Sequence, residues 1–221
     1  DANHRGPHMP ISVEHFAAFV LASIILLVIP GPTIIMVITQ ALAHGRKVAL
    51  ASVIGVGLGD LLATSLSIAG AGALLAASAS LFQVLKLVGA AYLIWIGYKM
   101  WRTPVTLPDM SDAEVAETPA NTAVIFRDSF LITALNPKGI LFFVAFVPQF
   151  IDPALPYVPQ AAAYVLTFTA LGIINAAVFA FAAAGARQTI RRPEVMKIAM
   201  RSGGSLLMMA GIAAAFTRRA S

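Results

Sequence analysis

VEHFAAFVLASIILLVIPGPTIIMVITQALA, residues 13–43, decides the fold. The stretch is apolar throughout and longer than the ~20 residues a helix needs to cross a bilayer. Its centre is interrupted by Pro30-Gly31-Pro32. Proline has no N–H and its ring clashes with the carbonyl four residues back. Pro30 and Pro32 should therefore free the carbonyls of Leu26 and Val28, and Gly31 lets the backbone leave helical geometry. Freed carbonyls are costly in lipid, so the break should face protein or a water-filled cavity. The half-helix that restarts near Thr33 would turn its positive dipole end to that cavity, which suits a carboxylate. A packing kink is the plainer alternative, but two prolines around a glycine favour a true break.

The rest of the chain has the same character. Of 221 residues, 59% are hydrophobic and 11% charged, and the mean hydropathy is +0.84. Soluble domains carry roughly 25% charged residues. A soluble enzyme, a nucleic-acid binder and a disordered chain are therefore excluded, and the even apolarity argues against a strand-alternating barrel. The absence of cysteine removes disulfides, thiolate metal sites and thiol relays. Six apolar segments emerge, at about Val13–Ala43, Val48–Ala77, Leu81–Trp101, Ala123–Phe150, Ala161–Ala186 and Val195–Phe216. The expected fold is an all-α polytopic membrane protein with six spans, helices 1 and 4 being proline-broken. Residues 1–8, ending in Gly6-Pro7-His8 ahead of Met9, read as a cloning remnant. No cleavable signal is expected after Met9.

Residues 104–122, with Asp109, Asp112, Glu114 and Glu117 among three prolines, read as a linker between two three-helix halves, 9–103 and 123–221. The halves match in spacing. Asp60 is followed after 29 residues by Gly89 and after 8 more by Gly97; Asn175 is followed after 28 by Gly203 and after 8 more by Gly211. Gly57 and Gly172 precede Asp60 and Asn175 by three residues each. Each half opens on a proline break, the second being Asn136-Pro137-Lys138. An odd number of spans per half requires opposite orientations, which is the inverted-repeat pattern of secondary transporters. Lys and Arg concentrate in loops 1, 3 and 5 (Arg46, Lys47, Lys99, Arg102, Arg127, Arg187, Arg191, Arg192, Lys197, Arg201). Those loops should be cytoplasmic and both termini outside. Lys86 is assigned to the outer side, and Arg218 with Arg219 oppose the assignment weakly.

Few residues remain to carry chemistry. Asp60 is the one acid expected in mid-membrane, and an ionisable residue there is a functional candidate by default. It can bind a proton or a substrate ammonium; the alternative is a structural acid bonded to a neighbouring helix. Thr64 and Ser67 continue its helical face. In the second break, Pro137 should free the carbonyl of Thr133, Asn136 can cap or accept, and Lys138 supplies a cation unless it snorkels to an interface. Asn175 and Tyr92 each read either as substrate contacts or as interhelical hydrogen bonds. Gly55 and Gly59 suit helix packing. The candidate binding set is Pro30, Gly31, Pro32, Thr33, Asp60, Thr64, Tyr92, Asn136, Pro137, Lys138 and Asn175, with Asp60 as the proton-coupling group. His15 and His44 are too few and too far apart for a metal site. No catalytic set, cofactor or metal is expected.

These stretches resemble the LysE/RhtB family of amino-acid exporters, on the RhtB side. The resemblance rests on Ile29 to Pro32, Gly45-Arg46, Gly55 to Asp60, Gly89-Ala90-Ala91-Tyr92-Leu93-Ile94-Trp95-Ile96-Gly97, Asn136-Pro137-Lys138 and Phe146-Val147-Pro148-Gln149-Phe150. They span nearly the whole chain in family order. The resemblance implies a six-helix bacterial inner-membrane protein that drives efflux of amino acids or derivatives such as homoserine lactone by proton antiport, and it allows a homodimer. Thr33 stands where many members have Asn, and Ser129 where Gly is common. The expected partners are a small zwitterion, protons and membrane lipid. With one central acid and one cation, an uncharged substrate side chain is favoured. The rival readings are a lipid flippase or small-metabolite channel, an intramembrane enzyme and a non-transporting sensor.

Overall fold

The computed structural model describes residues 11–102, 121–152 and 154–185, with short separate stretches between 197 and 216. Among the described residues all regular structure is helical. α1 (Val13–Val28) starts at Ser12, whose hydroxyl accepts from the His15 N–H at 3.2 Å. It ends where the proline segment begins. Ile29 is extended, no side chain caps Gly31, and α2 (Pro32–His44) leaves at 53° to α1. The chain then reverses at Gly45, the one positive φ among the described residues (+74°), a conformation that favours glycine. α3 (Arg46–Ala77) runs 32 residues and α4 (Ala79–Arg102) returns after Ser78, whose hydroxyl accepts from the Leu81 N–H at 3.2 Å.

α5 (Thr122–Ala134) is capped by Asn121, which accepts from Ala123 and Val124. The second proline break follows at Leu135 and Asn136. α6 (Pro137–Leu141) restarts the helix, widens into a π turn at Phe142–Phe146 and tightens into a 3₁₀ turn at Val147–Phe150. α7 (Tyr157–Gly185) begins four residues before the expected Ala161. Among the described residues three helices are long and apolar enough to cross a membrane, Val48–Leu74, Thr122–Phe150 and Tyr157–Ala183, and the bent pair α1–α2 makes a fourth when taken as one broken span. α4 matches the expected third segment in place and length. Lys86, assigned to the outer side from charge alone, is buried. The sixth segment falls mainly outside the described residues, as do residues 1–8, most of the linker and Gly203.

α3 is the axis. In its most apolar window 67% of residues are buried, against 33% in the spans of α5–α6 and α7. It lies along α5 and α7, with α2 beside it. Gly55 and Gly59 make the α5 contact: a Cβ at either would collide with the carbonyls of Phe126 or Phe130 and with Ser129 or Thr133. Close backbone approach of this kind is what small residues provide between apolar helices. Two buried clusters flank the midpoint of α3. One is aromatic, with Phe19, Phe142, Phe143, Tyr164 and Phe168. The other is aliphatic and alanine-rich, with Ile34, Val37, Ile38, Ala176, Ala180 and Ala183.

One set of contacts is reciprocal. A Cβ on Gly97 would meet the Gly204 carbonyl and Met208; a Cβ on Gly211 would meet the Ala90 carbonyl and Ile94. Ala90 and Gly204, Ile94 and Met208, and Gly97 and Gly211 are each 114 residues apart.

Candidate functional site

The two proline breaks lie against each other beside α3, and side chains from the second satisfy the backbone of the first. Lys138 Nζ donates to the carbonyls of Leu26 (2.9 Å) and Ile29 (3.0 Å). Asn175, from α7, donates to the carbonyl of Leu27 at 2.9 Å. The last turn of α1 thus hands three carbonyls to two side chains. A cation there also faces the negative end of the α1 dipole. Asn136 works in both directions: its Oδ1 accepts from the Lys138 N–H at 3.1 Å and caps α6, while its Nδ2 donates to Thr33 Oγ1 at 3.1 Å. Thr133 Oγ1 donates to the same Thr33 oxygen at 3.5 Å.

Two backbone expectations come out differently. The Leu26 carbonyl, freed by Pro30 as anticipated, is taken by Lys138. The Thr133 carbonyl, freed by Pro137, accepts the Asn136 N–H at 3.0 Å and closes a local turn, so it is not open to a ligand.

Asp60 stands midway along α3. It is 8% exposed, and no donor among the described residues bonds its carboxylate. Gly172 on α7 packs directly on Oδ2, so closely that a Cβ at 172 would collide with it. Lys138, also 8% exposed, interacts electrostatically with Asp60 without forming a direct ion pair. Between them lies a small cavity of about 30 Å³, bounded among others by Gly31, Thr33, Asn136 and Asn175. It sits where the two buried clusters meet: Leu26 and Phe168 belong to the aromatic one, Ile34 and Val56 to the aliphatic one. A space of this size holds water molecules.

Of the candidate residues, Gly31, Thr33, Asp60, Asn136, Lys138 and Asn175 meet at this cavity. Pro30, Pro32 and Pro137 shape the backbone beside it. Thr64 is buried but donates to the Asp60 backbone carbonyl at 2.7 Å and does not line the cavity. Tyr92 is also away from it, half-buried on α4 with its ring 5.5 Å from Trp95. Gly172 bounds the cavity and was singled out in the sequence only as a repeat marker. Its spacing of three before Asn175 placed it on the same face, which was the available signal. Gln160, fully buried, escaped sequence reasoning altogether. It clamps the loop before α7, accepting from the Asp152 N–H and donating to the carbonyls of Asp152, Leu155 and Pro156. No metal-binding group of His, Asp and Glu occurs among the described residues.

The fold and the cavity fit a multi-pass helical membrane protein with a small, charge-lined cavity at interlocked helix breaks. Comparison with known proteins makes this specific: residues 24–218 match the LysE type translocator family, and the chain belongs to it. It is 30% identical over 210 residues to a homoserine/homoserine lactone efflux protein of Salmonella typhimurium, covering 95% of this chain and 100% of that one. It is 30% identical over 204 residues to a leucine efflux protein of Klebsiella pneumoniae, covering 91% and 94%. An uncharacterized membrane protein of Vibrio cholerae is 32% identical over 204 residues, covering 91% and 97%. No solved structure matches the chain.

Proposed function

We propose that this protein is a secondary active exporter of a small amino acid or derivative, of the neutral amino-acid or homoserine-lactone type, driven by proton antiport with Asp60 as the titrating group. The observation that carries the reading is the carboxylate of Asp60, buried without a hydrogen-bond donor among the described residues and lining one small cavity with Lys138. A carboxylate in that setting gains much from a bound cation and can be neutralised by a proton instead. The substrate ammonium binds ionised Asp60. The carboxylate, where present, meets the start of α2 at Thr33, with Asn136 and Lys138 beside it. Protonation of Asp60 from outside removes the attraction and releases the ammonium; the proton then leaves inward. The relatives' substrates fit this chemistry, since homoserine and leucine are neutral amino acids and homoserine lactone keeps only the ammonium.

The proposed frame is six spans in two inverted three-helix repeats in the bacterial inner membrane. Loops 1, 3 and 5 are cytoplasmic, both termini are outside, and a homodimer is compatible with this arrangement. The reciprocal contacts around Gly97 and Gly211 support the repeat. A lipid flippase or an open metabolite channel fits less well, because the cavity is small and lined by opposite charges.

The test is export from liposomes preloaded with homoserine, homoserine lactone and leucine under an inward proton gradient, with the efflux identified by mass spectrometry. Selective, gradient-dependent efflux that Asp60→Asn abolishes is the expected result. No efflux of any of the three, in either orientation of the protein, would sink the reading.

A further inference from the structure

The carbonyl end of α1 is the densest set of acceptors at the cavity, and the protein's own ammonium occupies it. Lys138 uses two of its three N–H donors on Leu26 and Ile29. Leu27, between them, is held by Asn175. Asp60 faces the same ammonium from α3 with its carboxylate open to the cavity. A cluster of helix C-terminal carbonyls opposite a carboxylate is what any primary ammonium would seek in a water-poor interior. About 30 Å³ beside it leaves room for water but not for an amino acid. In the structure Lys138 fills the place beside the carbonyls freed by the first break.

We propose that the carbonyls of Leu26 and Ile29 are the ammonium subsite for the transported molecule, and that Lys138 is a tethered stand-in which the arriving ammonium displaces. This deepens the exporter reading and rests on it. A displaced Lys138 is free to meet the substrate's carboxylate. A zwitterion therefore offers a new partner for the lysine it evicts, whereas a carboxylate-free amine such as homoserine lactone does not. Lys138 thereby sets the preference between the two.

The test uses the full chain in detergent, reading thermal unfolding against methylammonium, with tetramethylammonium, which has no N–H, as the control. In Lys138→Met, methylammonium should raise the melting temperature with a half-effect about tenfold lower in concentration than in the wild type, about 1.4 kcal/mol. Tetramethylammonium should do nothing. By calorimetry, the same variant should bind homoserine lactone about tenfold more tightly than the wild type does, with homoserine affinity little changed. If Lys138→Met does not fold, Lys138→Gln, whose amide keeps a donor, is measured the same way. Failure of both to fold in saturating methylammonium overturns the proposal. So does stabilisation that does not distinguish the two ammonium ions. So does loss of homoserine binding with lactone affinity unchanged, which would make Lys138 a carboxylate anchor only. Wild-type liposomes that export none of the three probes overturn the exporter reading instead, and the methylammonium comparison still decides whether the carbonyls form an ammonium subsite.

Discussion

The two proline breaks use the same residue type and end in opposite conditions. At the first, residues 29–31 stay outside the helix, no side chain caps Gly31, and the helix axis turns by 53°. At the second, Asn136 caps the next turn with its own side chain, its N–H closes on Thr133, and Thr122–Phe150 continues as one span. The difference is the cap. A residue whose side chain can accept from the free N–H groups of the next turn lets the helix resume at once, whereas glycine between prolines offers no such acceptor. The result is a division of labour. The first break supplies unsatisfied carbonyls; Lys138 from the second break and Asn175 from α7 satisfy them, while Asn136 ties the second break to the Thr33 hydroxyl.

The largest effect is expected away from both breaks. If the breaks are mutually satisfied and Asp60 alone is left seeking a partner, Asp60→Asn should lower gradient-driven export by about a hundredfold, ~2.7 kcal/mol at ~1.4 per decade. Its melting temperature should change little. The sign of the pH dependence follows from the cycle. Lowering the outside pH at fixed inside pH speeds release and raises export in the wild type, and the Asn variant should lose that response. A variant that keeps it would move the coupling group elsewhere.

The contrast between the breaks is tested next by restoring helical N–H groups. Pro30→Ala gives residue 30 a donor for the Leu26 carbonyl, in competition with Lys138, whereas Pro137→Ala gives one to a carbonyl already satisfied locally. Removing a helix-interior proline is worth up to ~3 kcal/mol toward a continuous helix. Export should therefore fall about tenfold for Pro30→Ala and less than about threefold for Pro137→Ala, ~1.4 and ~0.7 kcal/mol. Equal losses would erase the distinction.

Asn136→Ala removes the cap of α6 and the bond to Thr33 together and should cost about 2 kcal/mol of stability, read as denaturant-induced unfolding in micelles. Thr33→Val removes only the acceptor that links the breaks and should cost about 1 kcal/mol. Because the two act through one bond, the double variant should cost less than the sum of the single ones.

Much of this was legible from the chain alone. Long apolar runs report burial in lipid wherever they fold, and a proline interrupts a helix ladder in any surroundings, so the apolar helices and both breaks could be read directly. Asp60, Asn175 and the glycines near them were found through spacing. Lys138 was recognised as a candidate but not where it goes, because its partners are backbone carbonyls more than a hundred residues away and carbonyls leave no mark in a sequence. Tyr92 and Thr64 do not line the cavity, since helix rotation against neighbours decides which face meets it. The π turn at Phe142–Phe146 and the Gln160 clamp had no local signal.

The sequence by itself determined that this chain lives in a membrane, where its helices break and which charges lie within the apolar spans, because hydropathy and proline act locally. Only the tertiary structure decided which break gives and which receives, that Lys138 sits on the end of α1, and that Asp60 is left open beside Gly172. Those outcomes depend on which helices lie side by side, and a buried polar group is satisfied by whatever its neighbours bring within about 3 Å.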